Sequence, residues 1–446
     1  MDCNFQLPAT NNAAFPPAML ADLTASLTSR RDQERSSFRA PETMQDLGVK
    51  EDFVEELFLK HAYKAGNCTI RALSDSLKLP VYLAEPIFRK LKTQQMLEVR
   101  GTFGDDFSFV LSALGKATAA ERLQIRRYCG PVPVPLSQYE AVVRAQVART
   151  RLNRELLQQA YQDLSLPPDL LPRLGPALVA QKSLFLYGPS GTGKSSLAER
   201  VLRIYRDRIA VPLAVEIEGN IITVFDQSVH QPTGTQRLED DTRWIYCQRP
   251  SIIVGGELGS EMLELQREPE QGCFIAPLHM KANNGIFVID DFGRQAIAPR
   301  DLLNRWIVPL DRRLDYLTIS GAKFPIPFEV FVVFSTNLDP ADLADEAFLR
   351  RIPNKILVDS LSSDVFDDIV GKRLQSVGWR SEPGAAVHLR NVCEAHGGGL
   401  RACYPRDLCN IIESIAEFEE RQPALTISDV DRAADLYYGT LKPVRE

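Results

Sequence analysis

At 446 residues the chain is too long for one compact core, and roughly two to four domains are expected. A composition of 44% hydrophobic and 25% charged residues with a net charge of −6 is that of a soluble globular protein and excludes a broadly basic nucleic-acid surface, though not a local basic patch. No apolar run approaches the about 18 residues of a bilayer span, and Met1-Asp2-Cys3-Asn4-Phe5 lacks the basic-then-apolar pattern of a secretory signal, so a cytoplasmic protein without a membrane partner is expected.

Residues 1–46 mix Asn, Thr, Ser, Pro and Ala without a sustained period and read as a mostly disordered tail, with a short helix possible over Met19 to Leu27. Residues 47–128 form the next unit. Phe53, Val54, Leu57, Phe58 and Tyr63 recur at helical spacing; a second helix fits Thr69 to Leu77, and Pro80 opens a third that runs to about Gln94. Met96 to Arg100, a turn over Gly101 to Asp106, and Phe107 to Leu111 read as a hairpin. Three helices and a ribbon make a winged-helix pattern. Arg89, Lys90 and Lys92 on the third helix could meet phosphates, whereas Asp105 and Asp106 at the wing tip would repel them, so DNA binding and protein docking both stay open. Gly130 to Pro135 is an extended, stiff linker within 129–136.

A helix from Ser137 to Arg151 begins the next module. After the apolar run Ser183 to Tyr187 comes Gly188-Pro189-Ser190-Gly191-Thr192-Gly193-Lys194-Ser195, followed by Ser196 and a helix to about Tyr205. Strand, glycine-rich turn and helix in that order make a P-loop. Glycines bring backbone N–H groups close to phosphates, Lys194 can reach the β- and γ-phosphates, and the Ser195 hydroxyl can ligate Mg²⁺. ATP with Mg²⁺ is the expected ligand. Ala214 to Phe225 and Ser251 to Val254 read as a β excursion that enlarges the module.

Gly285 to Ile289 is apolar enough for a central parallel strand, and it ends in Asp290 and Asp291. Asp290 fits the Walker B role of holding Mg²⁺; Asp291 falls where a general base could polarise water. Leu314 to Ile319, a turn at Ser320 to Lys323, and Phe324 to Val330 form a second hairpin. Val330 to Phe334 leads to Ser335-Thr336-Asn337, whose amide could orient water or sense the γ-phosphate, and Asp345 to Ile352 contains the pair Arg350 and Arg351. Cys393, His396, Cys403 and Cys409 could supply zinc ligands, but Cys409 lies in an apolar helix and all eight cysteines read as reduced thiols.

P-loop, strand-Asp-Asp, strand-Asn, Leu-Arg-Arg and Tyr404-Pro405-Arg406-Asp407-Leu408 arrive in an order that resembles AAA+ ATPases, over about Ser137 to Lys442. The resemblance implies a three-layer αβα P-loop core over 137–360 and a helical lid over 361–446. It further implies that Asn337 is sensor 1, that Arg350 and Arg351 are arginine-finger candidates, that Arg406 is sensor 2, and that the chain forms a homo-oligomeric ring, commonly a hexamer. The hairpin before Asn337 resembles the pre-sensor-1 insert of the branch that includes MoxR-type chaperone ATPases, where inserts engage substrates. Most members place Glu where this chain has Asp291, a methylene shorter. Three functions are therefore open: an ATPase remodelling a protein or complex through its winged helix and inserts, a DNA-directed ATPase, and a nucleotide switch that hydrolyses slowly.

Overall fold

The computed structural model describes residues 39–103, 106–147, 152–234, 240–343 and 346–439. Most of the expected tail lies outside them, but residues 39–46 are ordered: Arg39 forms an isolated antiparallel bridge with Asp240, and Leu47 is fully buried.

The N-terminal unit follows the expected order, with one strand and a fourth helix added. It comprises α1 (Glu51–Ala65), β1 (Asn67–Thr69), α2 (Ile70–Leu77), α3 (Val81–Thr93), β2 (Leu97–Phe103), β3 (Asp106–Leu111) and α4 (Ala113–Ile125). The three strands form one sheet in the order β1-β3-β2. Phe53, Val54, Leu57 and Phe58 face its core as their spacing requires, whereas Tyr63 is 43% exposed and does not join them. Thr69 is not the first residue of α2 but its N-cap, with its side chain accepting from Ala72 N. Asp106 is not a free wing-tip charge either. Its carboxylate accepts hydrogen bonds from the N–H groups of Ile70 and Arg71 at 3.2 and 3.0 Å and so completes the cap of α2. Asp105 lies outside the described residues.

The Pro-rich segment is not a free spacer. Val132 and Val134 are fully buried, Val132 N donates to Leu77 O, and β4 (Val134–Pro135) pairs in parallel with a later strand. That strand, β7 (Ala214–Ile217), belongs with β8 (Asn220–Thr223), β11 (Gln266–Glu268) and β12 (Cys273–Ile275) to a five-stranded mixed sheet ordered β11-β12-β8-β7-β4, while β6 (Arg208–Pro212) and β9 (Trp244–Gln248) pair with each other. Ala214, Ile221 and Cys273 of this sheet share one apolar core with the N-terminal unit. At the seam Arg243 and Asp241, each almost fully buried, form a bidentate pair, and Arg243 also donates to Leu47 O and Pro133 O. Arg243→Ala leaves the buried carboxylate without its counter-charge and removes a donor from two carbonyls, so we expect a loss of about 3–5 kcal/mol in urea unfolding. A loss below about 1 kcal/mol would show that the seam does not depend on this pair.

The core is a three-layer αβα P-loop fold. Its central sheet is parallel throughout, in the order β10-β13-β16-β5-β17, from β5 (Leu184–Tyr187), β10 (Ser251–Val254), β13 (Ile286–Ile289), β16 (Phe331–Thr336) and β17 (Asn354–Leu357). Alternation along β13 sends Ile286 and Val288 to one layer with Leu174 and Leu197, and Phe287 and Ile289 to the other with Trp306 and Phe334. Ser251–Val254 is thus not part of the β excursion but an edge strand of the central sheet beside β13. The helix expected from Ser137 starts one residue earlier, at Leu136, and runs to Ala145; residues 148–151 lie outside the described set.

The second hairpin pairs β14 (Leu314–Ile319) with β15 (Ala322–Pro327) through Ser320 and Gly321, both at positive φ, as a tight hairpin turn requires. Leu317, Ile319, Phe324 and Ile326 bury one face against Tyr139 and Val142, so the hairpin is a fixed part of the body rather than an arm. Tyr316 stays 46% exposed on the other face. At its base Asp315, 1% exposed, accepts from Arg305, and His279 Nε2 lies 2.7 Å from its carboxylate. The expected lid consists of Ser363–Val377, Ala385–Gly397, Tyr404–Phe418 and Ile427–Tyr438, four helices around one core that contains Cys393. Among the described residues no group of three or more His, Cys, Asp and Glu side chains is arranged to hold a metal ion, and no helix is long and apolar enough to cross a membrane.

Candidate functional site

Three strand ends on the carboxyl edge of the parallel sheet define the site. β5 runs into the P-loop. Gly188 has φ +138°, and a Cβ there would lie 2.3 Å from the carbonyl oxygen of Val358, so only glycine fits. Gly191 and Gly193 also have positive φ. The helix starts at Lys194 as expected but ends at Arg200, giving way to a 3₁₀ turn over Val201–Ile204.

Lys194 is 6% exposed and donates to Gly188 O at 2.9 Å, Pro189 O at 2.8 Å and Asn337 Oδ1 at 2.7 Å. Burial pushes its ammonium below the ordinary lysine range, against the opposing pull of Asp290 and Asp291. Thr192 Oγ1 donates to Pro189 O at 3.0 Å and tightens the loop. Ser195 Oγ donates to Asp290 Oδ2 at 2.7 Å. A hydroxyl and a carboxylate oxygen in contact suit Mg²⁺, which takes a few protein oxygens and completes its octahedron with water and phosphate.

β13 delivers the two acids. Asp290 N is anchored on Val254 O at 2.8 Å, and Asp290 Oδ1 accepts from Asp291 N at 3.1 Å. β16 then supplies Asn337, whose Nδ2 donates to Asp291 Oδ1 at 3.1 Å while its Oδ1 receives Lys194. One amide therefore bridges the P-loop lysine and the second acid. Lys194, Ser195, Asp290, Asp291 and Asn337 all meet here.

The three arginines expected at the site lie outside this network. Arg350 has a side chain 76% exposed and pairs with Glu346 at 2.8 Å. Arg351 is 27% exposed and reaches Asp311 at 2.7 Å. Arg406, 70% exposed, pairs with its neighbour Asp407 at 3.3 Å.

Sequence reasoning missed two residues. The lid meets the P-loop through Arg401 to Cys403: Cys403 N donates to Gly191 O at 3.1 Å, and a Cβ on Gly191 would lie 3.6 Å from Arg401 Cδ and 2.5 Å from Cys403 Sγ. Arg401 carries its charge close enough to Lys194 to lower the lysine further, and its buried Nε has no hydrogen-bond partner among the described residues. The run Gly397-Gly398-Gly399 ahead of it was the available signal. Gly399 has φ +118° and closes on Ser360, which brings the lid down at that point. The second is Gln295, whose amide contacts the turn carrying Asp291.

Residues 362–436, the lid, match a family described as a domain of unknown function, DUF8689. A comparison with curated proteins yields no match. Among solved structures, NtrX from Brucella abortus in complex with ADP is similar at 14% identity and TM-score 0.38, over 70% of this chain and 64% of that one. The RuvB Holliday junction branch migration motor from Thermotoga maritima is similar at 12% identity and TM-score 0.34, over 65% of this chain and 72% of the motor. A point mutant of the same RuvB gives 14% and 0.36. The chain thus spans just under two thirds of NtrX. The site described above stands on its own geometry.

Proposed function

We propose that the chain is a Mg²⁺-dependent ATPase of the AAA+ type that assembles as a homo-oligomeric ring and remodels a protein or protein complex. The observation that carries this reading is the single polar chain from Lys194 through Asn337 to Asp291, lying beside the Ser195–Asp290 contact.

In the proposed cycle Lys194 exchanges its three oxygen partners for β- and γ-phosphate oxygens. Ser195 and Asp290 hold the ion, which would neutralise charge developing on the transferred phosphoryl group. Asn337, relieved of the lysine, turns its amide to the γ-phosphate and the attacking water, and Asp291 takes the water's proton. Arg401, lying between lid and P-loop, is placed to follow the phosphates; Arg406 would have to leave Asp407 to do so. Arg350, paired with a highly exposed glutamate, fits the trans finger better than Arg351, which Asp311 ties to its own subunit.

The N-terminal unit supports a protein partner over DNA. On α3 Arg89 is paired with Glu85 at 2.6 Å, and Lys90 sits between Glu51 and Glu55 of α1. These acids neutralise two of the three cations on α3 that would face phosphates, leaving Lys92. Duplex DNA at low salt is accordingly expected to leave the fluorescence anisotropy unchanged at micromolar protein, and micromolar binding lost on removing Arg89, Lys90 and Lys92 would reverse the preference. For hydrolysis itself the test is phosphate release. Asp291→Asn is expected to lower turnover roughly 10²- to 10⁴-fold with ATP still bound; full turnover in that variant would reduce the chain to another chemistry or another base.

A further inference from the structure

The turn that carries Asp291 is unusual in its backbone. Asp291 has φ +48°, in the left-handed region that side-chain-bearing residues disfavour, and Gly293 follows at +109°. Hydrogen bonds close the turn, among them Thr336 Oγ1 to Phe292 O at 2.7 Å. Arg294 N donates to Asp291 O at 3.0 Å, and Phe292 N to Ser335 O of the neighbouring strand at 2.7 Å. Others come from the Gln295 side chain: Nε2 donates to Asp290 O at 2.9 Å and to Asp291 O at 3.2 Å, while Oε1 accepts from Gly293 N at 2.8 Å. A single amide thus holds backbone groups of both Walker B acids and of the glycine after them. It is the only side chain among the described residues that hydrogen-bonds both acids' carbonyls.

We propose that Gln295 is a positioning residue that keeps Asp291 in its left-handed conformation and thereby aims a short carboxylate at the attacking water. This rests on the ATPase reading above and adds a residue that acts only through Asp291. The direction of a side chain leaving Cα is set by φ and ψ. If the turn relaxes to a right-handed conformation, the Asp291 carboxylate swings off Asn337. An aspartate cannot make up the distance by changing rotamer, because it lacks the methylene that a glutamate has; a fixed backbone supplies the reach instead. Gln295 touches neither Lys194 nor Ser195 in the network that would hold the nucleotide, so its loss should spare binding.

The test uses the full chain with Mg²⁺-ATP. Gln295→Ala, and Gln295→Met, which keeps the volume without the amide, are expected to lower kcat at least tenfold while KM and the Kd for a fluorescent ATP analogue stay within twofold. Adding Asp291→Glu to Gln295→Ala is expected to recover at least fivefold, because the longer acid no longer needs the held turn. Unchanged kcat in Gln295→Ala would overturn the proposal. So would full activity in the Met variant alone, which would leave only a packing role, a Kd that rises in step with the loss of kcat, or no recovery on lengthening the acid. Wild-type protein without Mg²⁺-dependent turnover would instead overturn the ATPase reading and this one with it, so the two failures are told apart in the same series.

Discussion

Lys194→Ala is expected to weaken ATP binding by roughly one to two decades in Kd, since a charge-assisted hydrogen bond contributes about 1.5–3 kcal/mol and about 1.4 kcal/mol is a tenfold change. Turnover should vanish with it. Lys194 Nζ is the point where the loop carbonyls of Gly188 and Pro189 meet Asn337. Its loss therefore removes both the phosphate contact and the link that couples the P-loop to Asn337 and Asp291. Titration of a fluorescent ATP analogue, with and without Mg²⁺, checks this; an unchanged Kd would place the nucleotide elsewhere.

Arg350→Ala is expected to act on rate alone, with a loss of roughly 10³- to 10⁵-fold in turnover at unchanged ATP affinity, because a trans arginine stabilises charge that appears only in the transition state. Arg351→Ala should cost far less, since its guanidinium is already engaged by Asp311. The decisive variant is a mixture. Arg350→Ala protein lacks a finger but has an intact P-loop, and Lys194→Ala protein has the reverse defect. If the finger acts across a subunit boundary, mixing the two inactive proteins restores phosphate release. A mixture that stays inactive, or an Arg351→Ala variant as impaired as Arg350→Ala, would contradict the assignment.

The strand-end residues were legible in the sequence for a local reason. A parallel strand buried on both faces must be a dense apolar run, and its first polar residues then fall at the carboxyl edge, so Gly188, Asp290 and Asn337 could be placed together without coordinates. What depends on distant pairing was not legible. Ser251–Val254 is too short to show whether it belongs to an insert or to the central sheet, and its place is decided by β13, whose Ile286 pairs with Ser251. Glu51 and Glu55 neutralise Lys90 from 39 and 35 residues away. A Pro-rich stretch reads as extended whether water or a core surrounds it, and only the packing buries Val132 and Val134. Arg401 and Gln295 are placed by contacts that no spacing rule encodes. Arg406 drew attention through its motif, while the glycine run brought Arg401 to the loop instead.

The central claim is that Lys194, Ser195, Asp290, Asp291 and Asn337 serve one triphosphate. An electron-microscopy reconstruction of the full chain with Mg²⁺ and a non-hydrolysable ATP analogue tests it most directly. The account predicts Lys194 Nζ moved from the Gly188 and Pro189 carbonyls onto β- and γ-phosphate oxygens, Mg²⁺ between Ser195 and Asp290, and Asn337 and Asp291 facing the γ-phosphate. A nucleotide bound away from the P-loop, or a γ-phosphate with neither Asp291 nor Asn337 beside it, would contradict it.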